Sequence, residues 1–451
     1  MRKSQLLGLL ILLIAIAVFG NTNFFWVTST TGTPTSLFGD SQGSGPNPNV
    51  NPPFPPTPPA SETTPEATSE DQPGTGGDPG DWVVFSVGGK IELTGSSSIQ
   101  GRTGTNATTT INRAKPFIFG GNTFVSSPTT LLYLGPNADP KEVVDFPSWW
   151  EWGSLEQKEL RRIIITDTIG KLQSHKNFPI PDCLNNLSFQ EVEDKANQLT
   201  VSFPNITTAW YPEKSHNIQN SGKIDTVNIV VPYSDTNGVK IHVDDYDIVL
   251  LMRSLSITGS GELVVERKAG SDKRVFLIVQ ESFTLSGSGK IRTTDGKDDY
   301  VHFFYFGRND VVFGVSVVFT GSVYVKNSAI TISGSGKVKS IVSTGGKITI
   351  SGAGITAGAV NAKNSDVIVS GGAFLQEGVS TGGTRVEVSG GPSPFKYIFA
   401  PLAKVTLSGS SKIKGTIIGR EIVLSGDSPV IGPAYKPIPP DCILVPVPDL
   451  P

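Results

Sequence analysis

The sequence predicts a mainly β protein: a parallel β-helix, or solenoid, with coils of about 19 residues and an inserted α/β subdomain. A pentad of the form apolar-x-apolar-(Ser/Thr)-Gly occurs nine times. The last six of its glycines are 18, 19, 19, 19 and 17 residues apart, a period too short for a helical repeat. Each pentad also alternates apolar and polar residues, as a strand does when one of its faces is buried.

The pentads predict both the strands and the corners of each coil. Glycine suits a corner because a positive φ angle costs it little. When coils stack, equivalent residues align, so we expect Ile350, Val369, Val388 and Leu407 to form one buried ladder. The nine pentads end at Gly95, Gly259, Gly287, Gly334, Gly352, Gly371, Gly390, Gly409 and Gly426.

The N-terminus predicts export from the cytoplasm. Arg2 and Lys3 precede an apolar stretch, Leu6–Phe19, which is typical of a secretory signal cleaved near Gly20. Alternatively, residues 6–27 cross the membrane uncleaved as an anchor. No Lys or Arg follows until Lys90, which places the rest of the chain outside the cytoplasm under either interpretation.

Residues 28–80 predict a disordered stalk that is rich in Pro, Gly, Ser and Thr. Eleven prolines fall among the 34 residues of Pro46–Pro79, a composition that favours an extended spacer and cannot form a core. The formal net charge of the whole chain is −3, and no run of Lys or Arg occurs. We therefore expect no nucleic-acid partner.

The remaining chain divides by the spacing of the pentads. Residues 81–100 hold the first coil, residues 251–432 hold the other repeats, and residues 433–451 form a Pro-rich tail. Residues 101–250 lack the pentad. We expect them to be an inserted α/β subdomain, because a first coil without a neighbour would expose unpaired backbone groups. Two capping boxes, at Ser154 and Ser188, predict its helices.

Three tryptophans precede the first of these capping boxes and are the candidate ligand-binding residues: Trp149, Trp150 and Trp152. Indole rings stack on the apolar faces of sugars, so an exposed cluster would suit polysaccharide binding. The alternative is that these rings bury the junction between the insertion and the repeats. The sequence alone leaves both interpretations open.

The two cysteines, Cys183 and Cys442, predict a disulfide that ties the insertion to the C-terminal tail, since an exported protein permits one. Two unpaired thiols, or pairing with another chain, are the alternatives. Cysteine and histidine do not occur at metal-ligand spacings, so we expect no metal and no cofactor.

Two acidic clusters were weighed as catalytic sites. Asp244, Asp245 and Asp247 form one of them. The other contains Asp295, Asp298 and Asp299, followed by His302. Paired carboxylates can hydrolyse glycosidic bonds, but the sequence lacks the pattern typical of β-helical pectinases, a neighbouring Asp pair followed by Gly-His-Gly and Arg-Ile-Lys. We expect these residues to lie in surface loops or to bind calcium, and we expect no enzymatic activity.

The last repeats resemble a known family. Residues 397–426 contain Tyr397-Ile-Phe-Ala-Pro, Leu407-Ser-Gly, Gly415-Thr-Ile-Ile-Gly and Leu424-Ser-Gly in succession. This segment is similar to the C-terminal β-helical domain of PilX-type pilus-assembly and pilin-like bacterial surface proteins. The resemblance implies a structural or adhesive role at the cell surface, and no catalytic residues. The N-terminus differs from that family, because it lacks a short leader ending in Gly-Phe or Gly-Met with a Glu five residues later.

Together these observations favour an exported cell-surface protein, structural or adhesive and associated with pili, whose partners are other surface proteins or an extracellular polysaccharide. The alternative is a surface protein that binds polysaccharide without cleaving it. A polysaccharide lyase or hydrolase is the third interpretation.

Overall fold

The computed structural model describes residues 79–121, 123–126, 132–145, 169–209, 215–234, 237–314, 316–319, 321–334, 337–391, 395–432 and 445–449. All of them belong to one compact unit, Ser69–Pro451. The predicted signal or anchor at residues 1–27 and the predicted stalk, apart from Pro79 and Gly80, lie outside these residues. Within the described ranges, no helix is both long and apolar enough to cross a membrane.

The described residues are mainly β, with three short α-helices: α1 Pro140–Val143, α2 Asp182–Asn185 and α3 Gln190–Asn197. The strands from the first half of the chain are β1 Val84–Leu93, β2 Ser98–Gln100, β3 Thr103–Thr105, β4 Phe117–Phe119, β5 Phe124–Ser126, β6 Leu132–Leu134, β7 Val144–Asp145, β8 Ile169–Lys171, β9 Ser202–Phe203, β10 Ile206–Thr208, β11 His216–Ile218 and β12 Gly222–Ile229.

The strands from the second half are β13 Val239–Val243, β14 Ile248–Ile257, β15 Glu262–Arg267, β16 Val275–Leu285, β17 Lys290–Thr293, β18 Val301–Tyr305, β19 Val311–Phe313, β20 Val318–Phe319, β21 Ser322–Val325, β22 Ile330–Ser333, β23 Lys337–Ser343, β24 Ile348–Ala362, β25 Val367–Thr381, β26 Arg385–Val388, β27 Phe395–Leu407, β28 Ile413–Leu424 and β29 Pro429–Ile431. The pairings between named strands are parallel, so the predicted mainly β, parallel architecture is confirmed.

The strands form three parallel ladders, which we name A, B and C in the order in which each repeat visits them. In one repeat, Ile248–Met252 lies in ladder A, Ser254–Ile257 in ladder B and Glu262–Arg267 in ladder C. The chain then returns to ladder A at Val275. Residues of neighbouring repeats are therefore in register within each ladder.

Ladder B contains the predicted aliphatic ladder. Ile350 pairs with Val369, Val369 with Val388, and Val388 with Leu407, and all four side chains are at most 1% exposed. This prediction is confirmed. The glycines that end these pentads also stack, since a Cβ on Gly371 would lie 3.0 Å from the carbonyl oxygen of Gly352.

The N-terminal strands continue the ladders beyond the last C-terminal repeat. β1 pairs with β28 in ladders A and B, with Ile91 opposite Ile422 and Leu93 opposite Leu424. β1 then pairs with β3 and β4, which pair in turn with β6 and β7. The first pentad of the chain is thus the direct neighbour of the last.

The division into a first coil and a separate α/β subdomain at residues 101–250 needs correction. Strands β3 to β7 extend the same ladders on one side of β1, and strands β9 to β13 begin them at the opposite end. This segment does contain strands, such as β9 and β12, but they are ladder strands. The physical reason is that β1 obtains its neighbour from β28, and does not need one from an insertion.

What remains of the insertion is a crossover, residues 172–200, which covers the outer face of ladder A. Leu172 and Phe178 pack on Phe85, Phe399 and Ile418 near β1. Helices α2 and α3 place further apolar residues on the early repeats: Leu184, Leu187, Phe189, Val192 and Ala196 against Val249, Leu251, Phe276, Ile278, Phe304, Tyr324 and Val342. Ladder A is therefore buried on both faces, as its nearly continuous apolar strands require.

Candidate functional site

The candidate ligand-binding residues Trp149, Trp150 and Trp152 lie outside the described residues. They belong to the segment 146–168, which connects β7 to β8. Their role in binding stays a prediction from the sequence.

Of the predicted disulfide pair, Cys183 lies on α2 and is partly exposed, whereas Cys442 lies outside the described residues. The tail segment that follows Cys442 contacts the crossover. Val445 and Val447 pack against the cluster that contains Leu184, and Lys195 donates a 2.9 Å hydrogen bond to the carbonyl of Pro448. The disulfide stays a prediction, and these contacts favour it because they bring the two segments together.

The acidic residues weighed in the sequence come together at the turns from ladder C to ladder A. Asp247 is the most buried of them, with a side chain 2% exposed. It accepts hydrogen bonds from the Arg274 side chain at 2.7 Å and from the Arg274 amide at 2.9 Å. The amide of Asp449 donates a third, at 3.0 Å. Asp247 therefore joins two repeats to the C-terminal tail.

A second ion pair lies at the same corner, one repeat further. The Arg267 side chain is 1% exposed, contacts Asp295 at 3.0 Å and stacks on the ring of Tyr300, whose centroid is 3.7 Å away. Asp245 pairs at the surface with Lys268 at 2.8 Å. The side chain of Asp298 lies outside the described set, and Asp299 pairs with Lys339 at 2.9 Å.

Asp245, Asp247 and Asp295 are each held in the charged form. Burial raises the pKa of Asp247 and of Asp295. For Asp247, hydrogen bonds from Arg274 and the Asp449 amide outweigh burial, and the net pKa lies below its ordinary value. The pKa of Asp295 is also lowered overall, by hydrogen bonds and by the charge of Arg267. The Lys268 partner lowers the pKa of Asp245.

His302 is buried among these groups and is neutral at physiological pH. Burial, together with the charges of Arg274 and Lys339, lowers its pKa to about 3. Its Nδ1 lies 3.5 Å from the hydroxyl of Tyr324, and burial raises the pKa of that hydroxyl to about 12. The His302 ring also packs beside Phe276, with the two ring centroids 5.2 Å apart.

This cluster suits folding better than acid–base chemistry. A general acid needs a carboxyl group whose pKa is raised towards neutrality, but Asp245, Asp247 and Asp295 all have lowered values. Across the part of the chain that the structure describes, no group of three His, Cys, Asp or Glu residues could hold a metal ion. The cluster instead links successive repeats by buried, hydrogen-bonded charges.

A groove of about 400 Å³ lies at another corner, where three successive repeats turn from ladder A to ladder B. It is lined by Gly346, Lys347, Asn364, Asp366, Gly382, Gly383 and Thr384. Lys347 and Asn364 are exposed, and Asp366 is half-buried. The volume is in the range of small-molecule sites.

Glycines form the floor of this groove because the repeats approach closely there. A Cβ on Gly346 would lie 2.2 Å from the carbonyl oxygen of Ser328, and one on Gly383 equally close to that of Ser365. The pentads do not mark this corner. The available signal was the repeated Val-Ser-Thr-Gly-Gly at Val342–Gly346 and Val379–Gly383.

The chain matches no protein-family model, no curated protein and no solved structure.

Proposed function

We propose that ladders A, B and C are the three faces of one parallel β-helix. The ordered visits of each repeat to the three ladders, and the stacked residues of ladder B, support this architecture. Its core is continuous, since the inward side chains of β1, β14 and β28 belong to a single buried cluster. Each repeat is then stabilised mainly by its two neighbours, as in other solenoids.

We further propose that this β-helix is the folded part of an exported cell-surface protein with a structural or adhesive role, similar to the PilX-type proteins that its last repeats resemble. The basic and apolar N-terminus and the Pro-rich stalk support export and display. The observation that carries the proposal is the length of the parallel ladders, which continue from β9 and β10 to β6, β7 and β8. Such a scaffold suits surface presentation better than it suits an enclosed active site.

The test of surface display uses the full chain expressed in a bacterial host, with a variant that lacks residues 1–27 as the matched control. Protease added to intact cells should release a fragment that begins near Asp81 from the full chain, and none from the control. A full chain that stays protected inside the cells contradicts the proposal.

Polysaccharide binding without cleavage is the second candidate function, and the groove between ladders A and B favours it. The released fragment should then be retained by insoluble polysaccharide, whereas a purely structural protein should bind pili or neither. If the tryptophans carry binding, Trp149→Ala with Trp150→Ala should weaken retention at least about tenfold, because each stacked ring contributes roughly 1 kcal/mol. Its melting temperature should not change. A double variant that fails to fold shows instead that the rings are core.

A lyase or hydrolase is the least supported function. The lowered pKa values of the paired carboxylates at the corner between ladders C and A leave them poorly suited to donate protons. Incubation of the purified protein with acidic and neutral polysaccharides should release no reducing ends or unsaturated products.

A further inference from the structure

We propose that the groove between ladders A and B is a binding site for a neutral saccharide, which the groove recognises through pairs of adjacent hydroxyl groups. This assignment rests on the proposed surface role and gives the ligand of the protein a chemical class. The groove lies in the repeats at 343–386, away from the tryptophan segment in the sequence.

The groove has the length of a short saccharide. Its lining residues come from the turns at 343–348, 362–367 and 381–386, which belong to three successive repeats in register. Neighbouring strands are about 4.8 Å apart, so three repeats span about 10 Å. This is close to the length of two linked sugar rings. The groove is also open, so a longer chain could continue along it in either direction.

The glycine floor brings backbone within reach of a ligand. Gly346, Gly382 and Gly383 have no side chains. A Cβ built on any of them would lie 2.2 Å from a carbonyl oxygen in the preceding repeat. A side chain there would push the repeats apart. At these three positions the groove is lined by backbone alone, which a ligand can approach closely.

The position of one polar group in the groove is fixed. A single carboxylate oxygen of Asp366, Oδ1, accepts hydrogen bonds from the amide and hydroxyl of Thr384 at 3.0 and 3.1 Å and from the amide of Arg385 at 3.0 Å. These donors hold the carboxylate in one orientation. Among the described residues, its second oxygen has no hydrogen-bond partner, so that oxygen remains available to accept from a ligand.

Lys347 and Asn364 supply the complementary groups. Both side chains are exposed, and neither makes a hydrogen bond or ion pair with another described residue. The ammonium group can only donate and the carboxylate can only accept, whereas the amide can do both. The groove therefore combines donors, acceptors and glycine backbone in its lining.

This combination selects the ligand class. The opposite charges of Asp366 and Lys347 leave the groove without a net charge, so neither an anion nor a cation gains a net electrostatic attraction there. A hydroxyl group both donates and accepts, so neighbouring hydroxyls can donate to Asp366 and accept from Lys347 and Asn364 at the same time. A neutral polyol such as a hexose unit satisfies all three side chains without burying an unpaired charge.

The experiment uses the purified chain, with the N-terminal segment cleaved or retained as the cell leaves it. Binding is measured by calorimetry against glucan, mannan and galactan oligosaccharides, with inorganic phosphate and polygalacturonate as charged probes. At least one neutral oligosaccharide should bind. Lys347→Ala with Asn364→Ala should weaken that binding about tenfold or more, since two hydrogen bonds are lost.

Lys404→Ala with Lys412→Ala is the matched control, because both side chains are exposed on later repeats outside the groove. It should bind like the parent, and both double variants should keep the parent melting temperature. Asp366→Asn keeps an oxygen for the Thr384 and Arg385 donors, and should weaken binding without loss of stability.

Three results would overturn the assignment. Binding that survives loss of Lys347 and Asn364 moves the site elsewhere. Preference for phosphate or polygalacturonate contradicts the neutral ligand class. Absence of binding to every neutral oligosaccharide removes the site, while the protease experiment on intact cells decides separately whether the protein is displayed.

Discussion

The amide of Thr94 donates a 2.8 Å hydrogen bond to the carbonyl of Leu424, although 330 residues of chain separate them. Ser96 makes the next bond of the series, its amide donating to the carbonyl of Gly426 at 2.8 Å. These bonds cover the edge that the last repeat would otherwise present to solvent. An uncovered parallel edge is a template for aggregation, so the pairing protects as well as stabilises the fold.

A substitution at Gly95 is the most direct test of the junction between β1 and β28. Its φ is +72°, and a Cβ there would lie 2.8 Å from the carbonyl oxygen of Gly426 and 2.9 Å from its nitrogen. Gly95→Ala should lower the free energy of unfolding by about 3 kcal/mol or more, because conformational strain adds to a backbone collision. Urea unfolding followed by circular dichroism measures the change.

Gly270 provides the control for strain alone. Its φ is +78°, but nothing lies within 4 Å of a Cβ built there. Gly270→Ala should therefore cost only about 1 to 2 kcal/mol. Equal losses for the two variants would mean that β1 and β28 are not in close contact in solution.

A substitution at Val388 tests the buried aliphatic residues of ladder B. Val388 is 1% exposed between Val369 and Leu407, so Val388→Asp buries a charge without a partner. We expect a loss of several kcal/mol, or failure to fold.

Thr406→Asp introduces the same side chain one repeat away, at a half-buried, outward-facing position of β27. It should change stability by no more than about 1 kcal/mol. If both variants melt alike, the inward and outward faces of this ladder have been assigned wrongly.

The local features of the fold could be predicted because they depend on residues close in sequence. The pentads predicted that the side chains of Ile350 and Val369 face inward, and the spacing of the pentads predicted the register between repeats. The helix signal at Ser188 was also correct in kind, since its hydroxyl accepts from the amide of Gln190, where α3 begins.

The order of the repeats could not be predicted. The pentads at Leu93 and Leu424 resemble all the others, so nothing in either one indicates that they are neighbours. β1 does need a partner strand, but the sequence predicted that partner in an insertion, because it does not reveal a partner that lies so far along the chain.

The candidate sites were harder to predict from the sequence for the same reason. The groove takes two or three residues from each of three repeats, and its Gly-Gly turns look like ordinary corners in the sequence. The acidic residues were visible, but their partners were not. Nothing near Asp247 in the sequence predicts that the amide of Asp449 would bind to it.

The predicted disulfide between Cys183 and Cys442 has a direct test. Titration of the purified protein with a thiol reagent in denaturant should find no reactive thiols, and two after reduction. The contacts of Val445 and Val447 with the crossover support this outcome. Cys183→Ser should then leave one reactive thiol at Cys442. Two thiols in the unreduced, denatured protein would show that the bridge does not form.

The free energy of unfolding should decrease as the pH is lowered, and His302 accounts for the first part of that decrease. The ordinary pKa of histidine is 6.5, and burial lowers that of His302 to about 3. Below pH 6.5 the unfolded chain therefore binds a proton that the folded protein does not bind. The free energy of unfolding should fall by up to about 1.4 kcal/mol per pH unit from this group, down to about pH 3.

Asp247 accounts for a second decrease in the free energy of unfolding, at lower pH. Hydrogen bonds from Arg274 and the Asp449 amide hold its pKa below the ordinary 3.8, so its contribution is present above that value and is lost as the pH falls through the lowered one. Asp247→Asn should destabilise the protein at pH 7, because Arg274 loses its charged partner. The gap between this variant and the parent should narrow below about pH 3.8.

Urea unfolding at half-unit steps between pH 7 and pH 3 separates the two contributions. His302→Gln removes the titrating group, so its free energy of unfolding should depend less steeply on pH between 6.5 and 4 than that of the parent. His175→Gln, at an exposed position of the crossover, is the matched control and should keep the parent slope. If His302→Gln also keeps that slope, the imidazole reaches solvent, and the corner between ladders C and A is open where the structure has it closed.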